Sequence, residues 1–301
     1  MSFKDKIDKV KIFSLIVTMF LSIVLFGMTP LELLQVWADS SAPPHTQKKL
    51  SVVGVGGVPV LMYHHVGGLP EKPDQTRIDL TVSTKDFNAQ VSFLAKLGYN
   101  TITTAQLDAW LKGDISLPNK PIIFSFDDGY ADVFQNAAPI LQHYNMTGTF
   151  AVVPGFVGTK DYADWQQLIS AKASGMEIVC HSEYHMDFTN PIYPESMKLA
   201  EVSDCKSNLE NQLGVDSATF VYPYGHFNSD LQSILKNQRF DLAFTTAYGF
   251  VNKGQNPLEL PRVRVHGREM LEIFAKNLGL RLQGPFSKPW ASAAVQMSPA
   301  K

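Results

Sequence analysis

From Val58 onward the chain alternates short, continuously apolar runs with amphipathic stretches, and this rhythm limits the folds open to it. The runs fall at residues 58–63, 99–103, 121–126, 148–153, 176–180, 218–222, 241–245 and 262–265. A strand apolar on both faces is buried on both faces, which is the signature of a parallel sheet covered by helices rather than of a half-exposed antiparallel one. The intervening stretches supply the helices. In 84–97, Phe87, Val91 and Leu94 share one face, with Thr84 placed to cap the start and Gly98 to end it. Leu107 and Leu111 do the same in 104–112 before Gly113, and Leu199, Val202, Leu209 and Leu213 in 194–213 before Gly214. Seven or eight strand–helix units predict an α/β fold, a distorted (β/α) barrel.

The N-terminus has a different character. Lys4, Lys6, Lys9 and Lys11 precede an apolar run from Ile12 to Met28, and Val36-Trp37-Ala38 leads into a polar segment. A positive region, an apolar region and a small-residue site describe an export signal, with cleavage after Ala38 or retention as an anchor. Residues 1–38 are therefore expected to be a signal peptide or membrane anchor, 39–57 a linker, 58–280 a catalytic domain and 281–301 a tail. The lysines stay inside, which places the remainder outside the cytoplasm, secreted or held at the membrane or cell-wall surface. A formal net charge of -2 and the lack of a long Lys/Arg run outside the N-terminus exclude a nucleic-acid partner. Two cysteines, Cys180 and Cys205, are too few for a disulfide scaffold; free thiols are the expectation, with a single bridge open in an oxidising compartment.

Three segments carry chemistry. Phe124-Ser125-Phe126-Asp127-Asp128-Gly129-Tyr130 sets two adjacent carboxylates at the end of a buried strand. Side chains alternate along a strand, so one aspartate can bind a cation while the other stays free for proton transfer. Alone, the segment also reads as an ordinary Asp-Gly turn. His181-Ser182-Glu183-Tyr184-His185 follows the run 176–180, and its two histidines reach one metal if the segment makes a helical turn. Tyr222-Pro223-Tyr224-Gly225 follows 218–222 and is either a proline turn or a rigid loop presenting a backbone N–H to an anion. All three lie at C-terminal strand ends, the rim where barrels of this kind build their sites. Two histidines and one carboxylate form a three-ligand set that leaves room for water, the pattern of a catalytic rather than a structural metal site.

In this order and spacing, Phe-Asp-Asp-Gly, His-Ser-x-x-His and Tyr-Pro-Tyr-Gly resemble the polysaccharide deacetylases of carbohydrate esterase family 4. Pro59-Val60-Leu61-Met62-Tyr63-His64-His65 and Gly98-Tyr99-Asn100-Thr101-Ile102-Thr103 resemble the branch that deacetylates poly-β-1,6-N-acetylglucosamine of biofilm matrix. The resemblance covers roughly residues 58 to 270. It implies Asp127 as general base, a divalent metal, zinc, on Asp128, His181 and His185, and the N–H of Tyr224 at the oxyanion. The implied reaction removes N-acetyl groups from an exported polysaccharide, and Asp127→Asn is expected to keep the fold and abolish most activity.

Three departures stand out. Where many members carry an arginine that orients the base, this chain has Val221, and Arg262 or Arg264 is the candidate substitute. Asp161-Tyr162-Ala163-Asp164-Trp165 matches a family pattern out of its place and reads as a helix start with Trp165 toward the groove. The histidine that protonates the departing amine falls loosely on His266, with His64 or His65 as the alternatives; a buried hydrogen-bonded histidine is an equal reading for either of these two. Tyr130, Tyr184 and Tyr224 are candidates to stack on sugar rings. The competing functions are a peptidoglycan or chitooligosaccharide deacetylase and, from another class, an inactive glycan-binding module.

Overall fold

The computed structural model describes residues 56–280. The export segment expected at 1–38, nearly all of the linker at 39–57 and the tail at 281–301 lie outside the described residues. In chain order the elements are β1 (Val60–Tyr63), β2 (His65–Val66), α1 (Gln75–Leu80), β3 (Thr81–Val82), α2 (Thr84–Lys96), β4 (Asn100–Thr101), α3 (Thr104–Lys112) and β5 (Pro121–Phe126). They continue with α4 (Ala138–His143), β6 (Thr149–Val152), α5 (Trp165–Ala173), β7 (Glu177–Cys180), α6 (Glu195–Leu213) and β8 (Thr219–Val221). The last are α7 (Ser229–Asn237), β9 (Leu242–Tyr248), β10 (Leu260–Arg264) and α8 (Leu271–Asn277).

The strands close into a ring. β1 pairs in parallel with both β10 and β5, and β5 through β10 pair in sequence order, making a seven-stranded parallel barrel. β4 flanks the ring on β5, and β2 with β3 forms a small separate ribbon. The expected distorted (β/α) barrel is the observed architecture. Its core divides by strand parity. Val60, Ile123, Ala151, Val179, Val221, Leu242, Phe244 and Leu260 form one apolar cluster that fills the barrel. Their neighbours Leu61, Phe124, Phe150, Ile178, Phe220, Ala243 and Val263 belong to a second cluster, shared with the helices outside. Both faces of each strand are buried, which is why the runs read as continuously apolar rather than alternating.

Helix faces follow the expected spacing, with two corrections. α2 is capped by Ser83, whose hydroxyl accepts from the Asp86 N–H, not by Thr84. Ser83 has the extended backbone that a cap needs, which leaves Thr84 as the first helical residue. On α6, Val202, Leu209 and Leu213 are buried but Leu199 is 41% exposed. The inward face of that helix is completed by the polar Glu201 and by Cys205. Gly98, Gly113 and Gly214 end their helices at positive φ, as expected.

Candidate active site

Strand parity also aims the chemistry. Two residues beyond Ile123 and Ser125 on the inward series of β5 comes Asp127; two beyond Val179 on β7 comes His181; Met62 leads to His64, and Leu260 to Arg262. Each strand ladder continues far enough to hold these residues, with Asp127 N–H bonded to Tyr63 O at 2.9 Å and His181 N–H to Val152 O at 2.9 Å. Asp128 would point away on parity alone. It adopts φ 75°, and this turn swings its carboxylate back over the barrel mouth.

Asp128, His181 and His185 converge, with one ligand atom from each lying within 4.8 Å of the others. Both histidine Nε2 atoms stand 3.2 Å from Asp128 Oδ1. The buried His181 ring donates Nδ1–H to Val221 O at 2.7 Å, which leaves the Nε2 lone pair facing the cluster. A metal-bound histidine needs that tautomer, and a backbone carbonyl is one of the usual partners for its other nitrogen, so the residues fit a divalent cation. Burial alone would push the Asp128 carboxyl up, but its contacts with His181 and His185 hold it well below the usual range, ionised as a ligand must be.

The histidine segment is not the helical turn that the i, i+4 spacing suggested. It is a loop in which Ser182 (φ 61°) and His185 (φ 58°) are left-handed. Each such non-glycine residue costs roughly 1–2 kcal/mol, so the loop must be held by its surroundings. One support is covalent: Cys180, immediately before His181, is bonded to Cys205 on α6. The expectation of free thiols is thereby corrected. Strand parity turns Cys180 outward, toward the helix, as surely as it turns His181 inward.

Asp127 stands apart from the ligand cluster and is matched by an arginine. Arg262, fully buried, donates from Nη1 and Nη2 to the two Asp127 oxygens, each at 2.7 Å. It also donates from Nε to Thr245 O and from Nη1 to Ser125 Oγ. β1 lies between β10 and β5, so Arg262 reaches over β1 to the base. Burial pushes the Asp127 carboxyl up, and the guanidinium outweighs it, holding the group below the usual carboxylate range. Of the two arginines considered, Arg262 takes this place; Arg264 instead binds Asp79 at 2.6 Å.

The three candidate histidines separate cleanly. His64 Nε2 is 4.0 Å from Asp127 Oδ2, and burial lowers its pKa against the pull of Asp127 and Asp128. His65 is the buried, hydrogen-bonded one, paired with Asp132 at 2.9 Å and stacked on Tyr130. His266 is half exposed, with Nδ1 2.9 Å from Asp79 Oδ1. Tyr224 is left-handed (φ 59°), and the turn around it uses the N–H groups of Gly225 and His226, not its own. Its ring lies 4.6 Å from that of His185. Tyr184 and Tyr224 are exposed at the rim, whereas Trp165, expected toward the groove, is the first residue of α5 and packs, part-buried, against the outer core.

Residues 114–243 match the polysaccharide deacetylase family. The chain carries a polysaccharide deacetylase domain. Its relatives agree. YxkH of Bacillus subtilis, named for the same family, is 27% identical over 227 residues, 75% of this chain and 76% of its own. The poly-β-1,6-N-acetyl-D-glucosamine N-deacetylase of Escherichia coli is 26% identical over 241 residues, 66% of this chain but only 36% of that longer protein. Among solved structures, BC0361, a polysaccharide deacetylase from Bacillus cereus, superposes with a TM-score of 0.65 at 28% identity, covering 74% of this chain and 69% of its own. The deacetylase domain thus places all three motif segments, at 127–128, 181–185 and 222–225, within the matched residues.

Proposed function

We propose that the protein is a metal-dependent N-deacetylase of an exported polysaccharide, acting outside the cytoplasm on N-acetylglucosamine residues, with poly-β-1,6-N-acetylglucosamine as substrate. The observation that carries this reading is the side-by-side placement of a His/His/Asp ligand set and a separate, ionised, arginine-held Asp127. A glycan-binding module has no use for a buried free base beside a metal. The name of the Escherichia coli relative supports the choice of glycan. The lysine-flanked apolar run at the N-terminus supports the location.

When bound by Asp128, His181 and His185, a divalent cation such as zinc supplies Lewis-acid charge that polarises the acetamide carbonyl and acidifies water. Asp127 accepts the proton of the attacking water as its oxygen bonds to the carbonyl carbon. Arg262 keeps that carboxylate ionised and fixed in orientation. The Tyr224 N–H donates to the oxygen on which negative charge develops. Breaking the C–N bond releases acetate and leaves a free amine, which needs a proton. His266 is the candidate to give it, since Asp79 holds its Nδ1 and leaves Nε2 for the amine; His64, 4.0 Å from Asp127, is the alternative. Exposed Tyr184 and Tyr224 offer faces for the sugar rings.

The test is acetate release by purified protein from poly-β-1,6-N-acetylglucosamine, chitooligosaccharides and peptidoglycan, with and without chelator. Release from the first substrate that chelator abolishes is expected. Release from peptidoglycan or chitooligosaccharide alone would reassign the substrate, and release unaffected by chelator would remove the metal.

A further inference from the structure

We infer that α6 is a positioning element for the metal-binding loop, with Glu201 and the Cys180–Cys205 bond setting the affinity of the site for its cation. This rests on Asp128, His181 and His185 being the metal ligands. The sequence places Glu201, Cys205 and Asn208 at i, i+4 and i+7, a single helical face. All three groups are spent on the loop. The Glu201 carboxylate accepts from the Tyr184 N–H at 2.8 Å, and the Glu201 carbonyl accepts from the Glu183 N–H at 3.0 Å. Asn208 donates to Glu183 Oε1 at 2.9 Å. Cys205 is joined to Cys180, the residue before His181.

These contacts hold a segment that would not keep its shape unaided. Ser182 and His185 flank Glu183 and Tyr184 in left-handed conformations, and such residues persist only where the surroundings over-determine them. From the opposite side the Glu183 carbonyl accepts from the Gly155 N–H at 2.9 Å. A β-carbon at Gly155 would collide with the Tyr184 ring and the Glu183 carbonyl, so the loop is clamped between the Gly155 backbone and α6. His181 is fixed at one end by the disulfide, and His185 follows the Tyr184 N–H that Glu201 grips. The spacing of the two imidazoles is thus set by a helix that touches no metal. The buried Glu201 acts through these residues and is a positioning residue, not a catalytic one.

Zinc binding to chelator-stripped full-length protein, measured by calorimetry against a competing chelator, tests this. Glu201→Ala is expected to weaken zinc binding about 10–100-fold, the range for groups that orient metal ligands without touching the metal. Glu201→Gln, which keeps an acceptor for the Tyr184 N–H, should stay within about threefold. The double variant Cys180→Ala/Cys205→Ala leaves no thiol to bind zinc and should weaken binding at least about tenfold. Leu209→Ala, on the same helix but in the outer core, should lower Tm and leave zinc affinity unchanged. Zinc affinities of folded Glu201→Ala and of the cysteine double variant equal to wild type would overturn the inference. Should Glu201→Ala fail to fold, the double variant alone decides it. A wild-type protein that binds no zinc would overturn the metal reading as well, and so is distinguished from failure of the clamp alone.

Discussion

Replacing Asp127 by Asn tests the base and its arginine together. The sequence suggested that this near-isosteric change would leave the fold almost untouched. The structure argues otherwise. The Asp127 and Arg262 side chains are 4% and 0% exposed and joined by two 2.7 Å hydrogen bonds. Removing one partner of a buried pair typically costs about 3–5 kcal/mol, because the other charge is left uncompensated. The asparagine side chain would keep one acceptor but turn an NH₂ group toward the other guanidinium nitrogen. Thr245 O and Ser125 Oγ still receive two of the Arg262 donors, which places the cost near the low end, about 3 kcal/mol. Arg262→Met should cost a similar amount by burying Asp127 unpaired. The double variant should recover to within about 1 kcal/mol of wild type, since a neutral pair of similar volume needs no ionic partner. Urea unfolding followed by far-UV circular dichroism, in chelator so that metal binding does not enter, measures all four corners of the cycle. A loss below about 1 kcal/mol for Asp127→Asn, or additive losses in the double variant, would refute the argument.

Acetate release should fall about 10²–10⁴-fold in Asp127→Asn under conditions where the variant is folded; near-wild-type rates would exclude Asp127 as base. His266→Ala should lose activity by a comparable factor together with the alkaline limb of the pH–rate profile, while His64→Ala keeps that limb; the reverse result would pass the proton-donor role to His64. Asp128→Asn, His181→Ala and His185→Ala should each abolish stoichiometric zinc retention on dialysis, read by atomic absorption, and full retention in any one would remove that residue from the ligand set. The pH dependence of stability follows from the depressed pKa of Asp127. Its stabilisation is fully present above the unfolded carboxylate value of about 3.9 and is lost as pH falls through the lower folded value. In chelator, the gap in urea midpoint between wild type and Asp127→Asn should therefore be constant from pH 7 to about 5 and shrink only below about 4; a gap closing near pH 6 would contradict the sign.

Local pattern carried much of this protein. Continuously apolar runs separated by amphipathic helices suffice for a parallel barrel, because only a sheet buried on both faces hides such strands. The position of Asp127, Asp128 and His181 at C-terminal strand ends was likewise readable, since a barrel opens its site at that rim. Trp165 misled, because an exposed aromatic and a core aromatic look alike in sequence and only the packing of the helix separates them. His64 and His266 could not be ranked, for both end strands on the inward series; the carboxylate partner of His266, Asp79, lies far away in sequence. The pairing of Arg262 with Asp127, across 135 residues, and of Cys180 with Cys205 depends on how separate strands and helices meet. Parity along each strand says which face a side chain takes. Ring closure sets Arg262 within reach of Asp127, helix packing sets Glu201 and Cys205 behind the His181–His185 loop, and those distances are properties of the packed fold rather than of any segment within it.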